Sequence, residues 1–186
     1  MSSYDGNSRV YLDALRGLQT GWGDPARMAD AIWPVLCNWH ADYCRWGSGD
    51  PTAIASAIKQ KFDLINAFRS RAIDTLCRAD EIKIRELFWE FRKATGRTNS
   101  KGFSGSSTGA AKVMHLLGPH FLPLWDADIA KFYRCADDAF GYAEFCQLMK
   151  GFAATALTYF DKPDDRSILR RIDEYNWAIT RRKKVP

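Results

Sequence analysis

No two cysteines of this sequence stand at Cys-x-x-Cys spacing. The five that occur, Cys37, Cys44, Cys77, Cys135 and Cys146, are odd in number. That pattern suggests neither a disulfide framework nor a zinc site, so reduced core thiols are expected. No apolar run approaches the ~18 residues of a membrane span. The leading MSSYDGNSRV is polar, so no signal peptide and no membrane association are expected, and a cytoplasmic protein is. No alternating apolar run or hairpin turn signal marks a strand. Internal repeats, low-complexity segments and a dividing linker are also missing. The 186 residues therefore read as a single domain, 1–186, long enough to bury a core, with a basic tail at about 181–186.

Aromatic residues, by contrast, are plentiful at 13%, with seven Trp; most are expected in the core and a few remain to stack on a base. The net charge of +5 and pI near 9.0 favour a polyanionic partner, of which nucleic acid is the commonest. Many proteins reach such a charge without one, and Arg181, Arg182, Lys183 and Lys184 read equally as a solvated tail.

Helical periodicity dominates. Val10, Leu12, Leu15 and Leu18 outline a first helix. Asp24-Pro25 reads as an N-cap with proline at the first helical position. The helix it starts carries Met28, Ile32, Val35, Leu36, Trp39 and Tyr43, and Gly47 and Gly49 end it. Asp50-Pro51 repeats the start signal ahead of Ile54, Ile58, Phe62, Ile65 and Phe68, a stripe continuing towards Leu76. Asp80 is placed to cap a helix bearing Ile84, Leu87, Phe88 and Phe91, stopped at Gly96. Arg97 to Ser106 reads as loop. Helices follow from about Ser107 to Leu117, ended by Gly118-Pro119, from near Asp126, from about Tyr142 to Phe160, and from about Asp165 to Thr180. Asp161-Lys162-Pro163 separates the last two. The expectation is an all-α compact bundle of about eight helices.

Three features meet between residues 97 and 129. A Gly/Ser-rich loop feeds a helix start at Ser107, Thr108, Gly109, Ala110 and Ala111, where small residues allow close approach and unpaired N–H groups attract anions. The alternative is an ordinary capped helix. Lys112 then sits among Ala110, Ala111, Val113, Met114, Leu116 and Leu117. Desolvation there lowers the charge on an amine and makes it a nucleophile, unless the side chain snorkels out. Finally, the segment FLPLWDADI leads through proline and aromatics into Asp126, which caps the next helix whether or not it has a chemical role.

TGAAKVMHLL and LPLWDADI together resemble the lysine and aspartate segments of the helix-hairpin-helix (HhH-GPD) DNA glycosylase superfamily, the group of endonuclease III and the 8-oxoguanine glycosylases. Asp128 stands where that family often has histidine. The likeness is sharp over about 25 residues and otherwise extends only to an all-helical outline. Two departures stand out. The family's Leu-Pro-Gly-Val-Gly hairpin is replaced by Gly102-Phe103-Ser104-Gly105 and Gly109. The lysine–aspartate separation, 126 − 112 = 14, is about one helical turn short. The four cysteines that ligate an iron–sulfur cluster in some members have no counterpart after Cys146.

The resemblance implies an HhH-like hairpin within the helical bundle and an enzyme acting on a base flipped out of DNA. The Lys112 amine would attack C1′ and displace the base; a Schiff base with the opened sugar would follow, and β-elimination could then cut the strand. Asp126 would stabilise positive charge on the sugar and help move protons. No metal or diffusible cofactor is implied, and a monomer is expected. Asp128, His115, Trp125 and Trp177 are candidates to line the base pocket. Each has a plainer alternative: a helix-surface carboxylate, a satisfied core histidine, core tryptophan. Arg97, Lys101, Ser107, Thr108 and Gly109 would grip DNA, with Phe103 intercalating. Arg166, Arg170 and Arg171 give the last helix a basic side. Alternative readings are a defence glycosylase that removes bulky modified bases from phage DNA, a non-enzymatic helical DNA-binding module, and a protein-interaction domain.

Overall fold

The computed structural model describes residues 3–39, 50–99, 102–159 and 166–182. Helix α1 (Ser3–Gly21) buries Tyr11, Ala14 and Leu18 along one face, against Met28, Ala29, Ile32, Val35 and Leu36 of α2 (Pro25–Trp39). Gly17 lets the two helices touch, since a Cβ there would lie 2.9 Å from Cβ of Ala31. Asp24 caps α2 as expected, its Oδ1 accepting from the N–H groups of Ala26 and Arg27. Asp50 does the same for α3 (Pro51–Gln60) through Thr52.

The long stripe after Asp50 is not one helix. It breaks at Lys61 into α3 and α4 (Phe62–Arg69), and a 3-10 turn (Ile73–Thr75) carries Leu76 inward. Ile54, Ile58, Ile65 and Phe68 stay buried across the break, so the apolar face was read correctly and its continuity was not. Asp80 also differs from expectation. It is the first residue of α5 (Asp80–Ala94) rather than its cap. Its carboxylate accepts from Nη1 and Nη2 of Arg71, both at 2.7 Å, and from the Cys77 N–H. These hydrogen bonds, Arg71's first, hold the Asp80 carboxyl well below the usual carboxylate range.

Between α5 and α6 (Ser107–Leu117) the expected loop is a small antiparallel ribbon, β1 (Arg97–Asn99) with β2 (Gly102–Ser104), in register Arg97↔Ser104 and Asn99↔Gly102. No apolar alternation in the sequence announced it. The helix-hairpin-helix-like hairpin that the resemblance implies is not confirmed by this ribbon.

Helix α7 (Ala127–Phe132) is short. Helix α8 (Ala139–Ala156) starts earlier than Tyr142, because Asp138 caps it through the N–H groups of Phe140 and Gly141. Gly141 is required there: a Cβ would fall 2.0 Å from the Ala136 carbonyl oxygen. Helix α9 (Ile168–Arg182) closes the described chain. The all-α expectation holds, with nine α-helices among the described residues. Their inward faces form one apolar cluster, in which each large side chain contributes roughly 1.5–3 kcal/mol by leaving water. None of the described helices is long and apolar enough to cross a membrane.

The cysteines depart from expectation. Cys37 is disulfide-bonded and Cys77 is exposed, while Cys146 is the buried free thiol that was foreseen. Cys44, Tyr43, the glycines at 47 and 49, the 160–165 segment and residues 183–186 lie outside the described residues.

Candidate active site

Helix α6 is made almost entirely of small and apolar residues, and every one of them except Thr108 is buried. The helix therefore runs through the core and carries Lys112 inward instead of letting it snorkel. The lysine is 7% exposed, and its Nζ donates to the Trp39 carbonyl oxygen at 2.7 Å. Burial lowers its pKa to about 8, against the opposing charges of Asp173 and Asp126 and with the help of Arg170.

Asp126 stands at the start of the next helix, α7. Its own backbone is extended, and its Oδ1 accepts from the Ile129 N–H at 2.9 Å as the cap of α7. Its charge is felt by both Lys112 and Asp173. The lysine and aspartate read from sequence thus lie near enough for their charges to interact.

Helix α9 supplies what the sequence reading missed. Arg170 is buried, with Nη1 2.5 Å from Asp173 Oδ2 and Nε 3.2 Å from Glu174 Oε1. Its guanidinium lies over the rings of Trp39 (4.4 Å) and Tyr11 (5.3 Å), which are themselves stacked. Arg166 pairs with Glu174 at 2.7 Å. The basic side expected of this helix is therefore turned inward at Arg170 and neutralised by its own carboxylates. Asp173 is buried deeply enough to push its carboxyl up to about 6, although Arg170 pulls it the other way and Asp126 adds to the rise. A signal did exist. Leu169, Ile172, Asn176 and Thr180 form a buried stripe at three-to-four spacing, and Arg170 and Asp173 flank it by one position.

His115 is a satisfied core histidine. Its Nδ1 meets the Leu122 carbonyl at 2.8 Å, and a carbonyl only accepts, so Nδ1 carries the proton. Nε2 then accepts from the Tyr11 hydroxyl at 2.9 Å. Burial pushes the imidazole down to about 3, so it is neutral and serves to anchor α1 to α6. Trp125 is core too, packed on Phe88, Tyr142 and Phe145. Asp128 is half-buried in the first turn of α7, and Trp177 is 46% exposed on α9, one turn beyond Asp173.

The expected DNA grip is only partly placed. Ser107 is buried, with its hydroxyl donating to the Asp137 carbonyl. Gly109 is buried against Thr95, and its N–H is taken by Ser106 Oγ, the actual cap of α6. The Ser107 hydroxyl and the Gly109 N–H are thus already engaged within the protein; Thr108 is the half-buried member of the three. Arg97 lies in β1 and Phe103 in β2, with their side chains outside the description, and Lys101 lies outside the described residues. Among the described residues no His, Cys, Asp or Glu cluster has the makings of a metal site. A cavity of about 440 Å³ between α5 and α8 is lined by Arg85, Arg134, Phe140 and Glu144 among others, and by no member of the Lys112 cluster.

Comparison of the chain with protein-family models, curated proteins and solved structures finds no match.

Proposed function

We propose that the protein is a DNA glycosylase that removes a damaged or modified base with Lys112 as its nucleophile, and that it has abasic-site lyase activity. The observation that carries this reading is a buried amine, depressed to about 8, whose charge is coupled to those of the Asp126 and Asp173 carboxylates. An amine titrating there is a free base often enough at neutral pH to attack a sugar carbon, and remains basic enough to form an imine. Asp126, rigid at its cap, provides negative charge where an oxocarbenium-like sugar would develop. The basic balance of the chain suits a DNA backbone. In this mechanism Nζ leaves the Trp39 carbonyl as the flipped nucleotide enters.

The test uses a duplex with a single abasic site and sodium borohydride. Wild type is expected to give a trapped covalent adduct and K112A none, with base release measured in parallel on damaged and on phage-modified DNA. No adduct and no base release on any of these substrates refutes the reading. One observation favours a non-enzymatic helical DNA-binding module instead: the Lys112 amine already has a backbone acceptor and little exposure. That module predicts salt-sensitive DNA binding with neither product.

A further inference from the structure

The cavity between α5 and α8 lies apart from the Lys112 cluster. Its volume of about 440 Å³ falls in the range of small-molecule sites. Arg85 of α5, Arg134 of the turn after α7, and Phe140 and Glu144 of α8 all line it. The Arg85 guanidinium lies over the Phe140 ring at 4.5 Å. Phe140 is nonetheless 64% exposed, so much of its ring is bare. Neither Arg85 nor Arg134 makes a side-chain hydrogen bond or an ion pair among the described residues. Other polar groups of the wall are engaged within the protein. The Tyr133 hydroxyl donates to Asn176 Oδ1 at 2.7 Å, and Gln147 Nε2 donates to Glu81 Oε1 at 3.3 Å. Arg134 has a φ of 59°, and among the described residues no other side-chain-bearing residue enters the left-handed region. Its turn is held by backbone bonds from Arg134 to the Lys131 carbonyl (3.2 Å) and from Cys135 to the Ala130 carbonyl (3.0 Å).

The wall thus presents two guanidiniums, an aromatic face and the exposed Glu144 carboxylate. With Glu81 counted, its acidic and basic charges balance, so a bare polyanion gains little there. A ligand with an anionic group at one end and hydrogen-bond donors on a flat ring at the other matches every one of these groups. We propose that this cavity is a second binding site, for a nucleoside 5′-phosphate. The phosphate meets Arg85 and Arg134, whose planar donor forks suit its oxygens. A guanidinium over a ring still has N–H donors to offer. The base stacks on Phe140, and its exocyclic amine or a sugar hydroxyl donates to Glu144. Such a nucleotide is either free or the 5′-phosphorylated end of a DNA strand. The site does not depend on the glycosylase reading, because no residue of the Lys112 cluster lines it.

The experiment is isothermal titration calorimetry of wild type, R134A, F140A and K112M. The probes are deoxyadenosine 5′-monophosphate, deoxyadenosine, inorganic phosphate and a 5′-phosphorylated single-stranded oligonucleotide. Wild type is expected to bind the nucleotide about 10-fold or more tighter than the nucleoside or phosphate alone. R134A should weaken the nucleotide about 10-fold and leave the nucleoside unchanged. F140A should weaken both by about 10-fold. Both replaced side chains are exposed, so the fold is not at stake. K112M should bind the nucleotide as wild type does. An oligonucleotide held more tightly than the nucleotide, and weakened by R134A, supports the site with a strand end as its ligand; equal or weaker binding supports it with a free nucleotide. No nucleotide binding up to about 10 mM, with no R134A-sensitive oligonucleotide binding, overturns the proposal. Nucleotide binding unchanged in both R134A and F140A overturns it too, as does binding lost only in K112M. None of these failures touches the glycosylase reading, which the borohydride trap tests separately.

Discussion

Replacing Lys112 by methionine tests the central electrostatic claim without needing a substrate. The folded protein holds this amine at about 8, and the unfolded chain returns it to about 10.5. Its folded pKa lies below the unfolded one, so the unfolded chain binds the extra proton between those values. Stability attributable to Lys112 therefore rises as pH increases from about 8 to 10.5, and below that window its burial costs about 3 kcal/mol. The side chain is 7% exposed, so solvent screening removes little of this. K112M lacks the titration. It also leaves the Trp39 carbonyl without its donor, an offset of about 1–2 kcal/mol that does not vary with pH. Tyr11, pushed up to about 12, and Cys146, raised further by burial, lower stability at alkaline pH but do so in both proteins. Asp173 titrates below the window. The stability of wild type relative to K112M is thus expected to rise by about 2 kcal/mol between about pH 7.5 and 9.5. Urea unfolding followed by tryptophan fluorescence at several pH values measures it. A difference that stays flat across that range shows an amine of ordinary basicity and refutes both the burial argument and the nucleophile built on it.

Other outcomes follow from the same geometry. His115 is held near 3 in the fold and returns to 6.5 on unfolding, so the unfolded chain takes up the extra proton in acid; wild type should lose about 2 kcal/mol relative to H115Q between about pH 7 and 5, read by denaturation at each pH. D80A removes the carboxylate that holds Arg71 and the Cys77 N–H, and should cost about 3 kcal/mol, seen as a fall of roughly 6–12 °C in Tm. G141A forces a Cβ to 2.0 Å from the Ala136 carbonyl and should cost more than about 3 kcal/mol or abolish folding, whereas G151A, with open space around it, should change Tm little.

Much of this molecule was legible without coordinates. Asp24-Pro25 and Asp50-Pro51 announced two helices because a capping carboxylate and a fixed φ act on the next few residues only. The small and apolar run from Gly109 to Leu117 announced a helix, and left open whether its lysine is buried or snorkels out. Proline-led Asp126 announced a cap. The break at Lys61 was not legible, since neither glycine nor proline stands there and both halves keep the same apolar face. Nor was the pairing of β1 with β2, because neither three-residue strand carries an apolar alternation.

What the sequence by itself determined is therefore local: which segments become helices, which face of each is apolar, and that Lys112 and Asp126 lie close along the chain. What only the tertiary structure decided is which distant groups meet that lysine. The Trp39 carbonyl lies 73 residues from its amine in sequence, and Arg170 and Asp173 come from the last helix. A helix carries its polar residues wherever its apolar face is buried. Whether an arginine one position off that face meets solvent or a carboxylate depends on the neighbours that cover it, and those are chosen by packing rather than by any residue nearby in the chain.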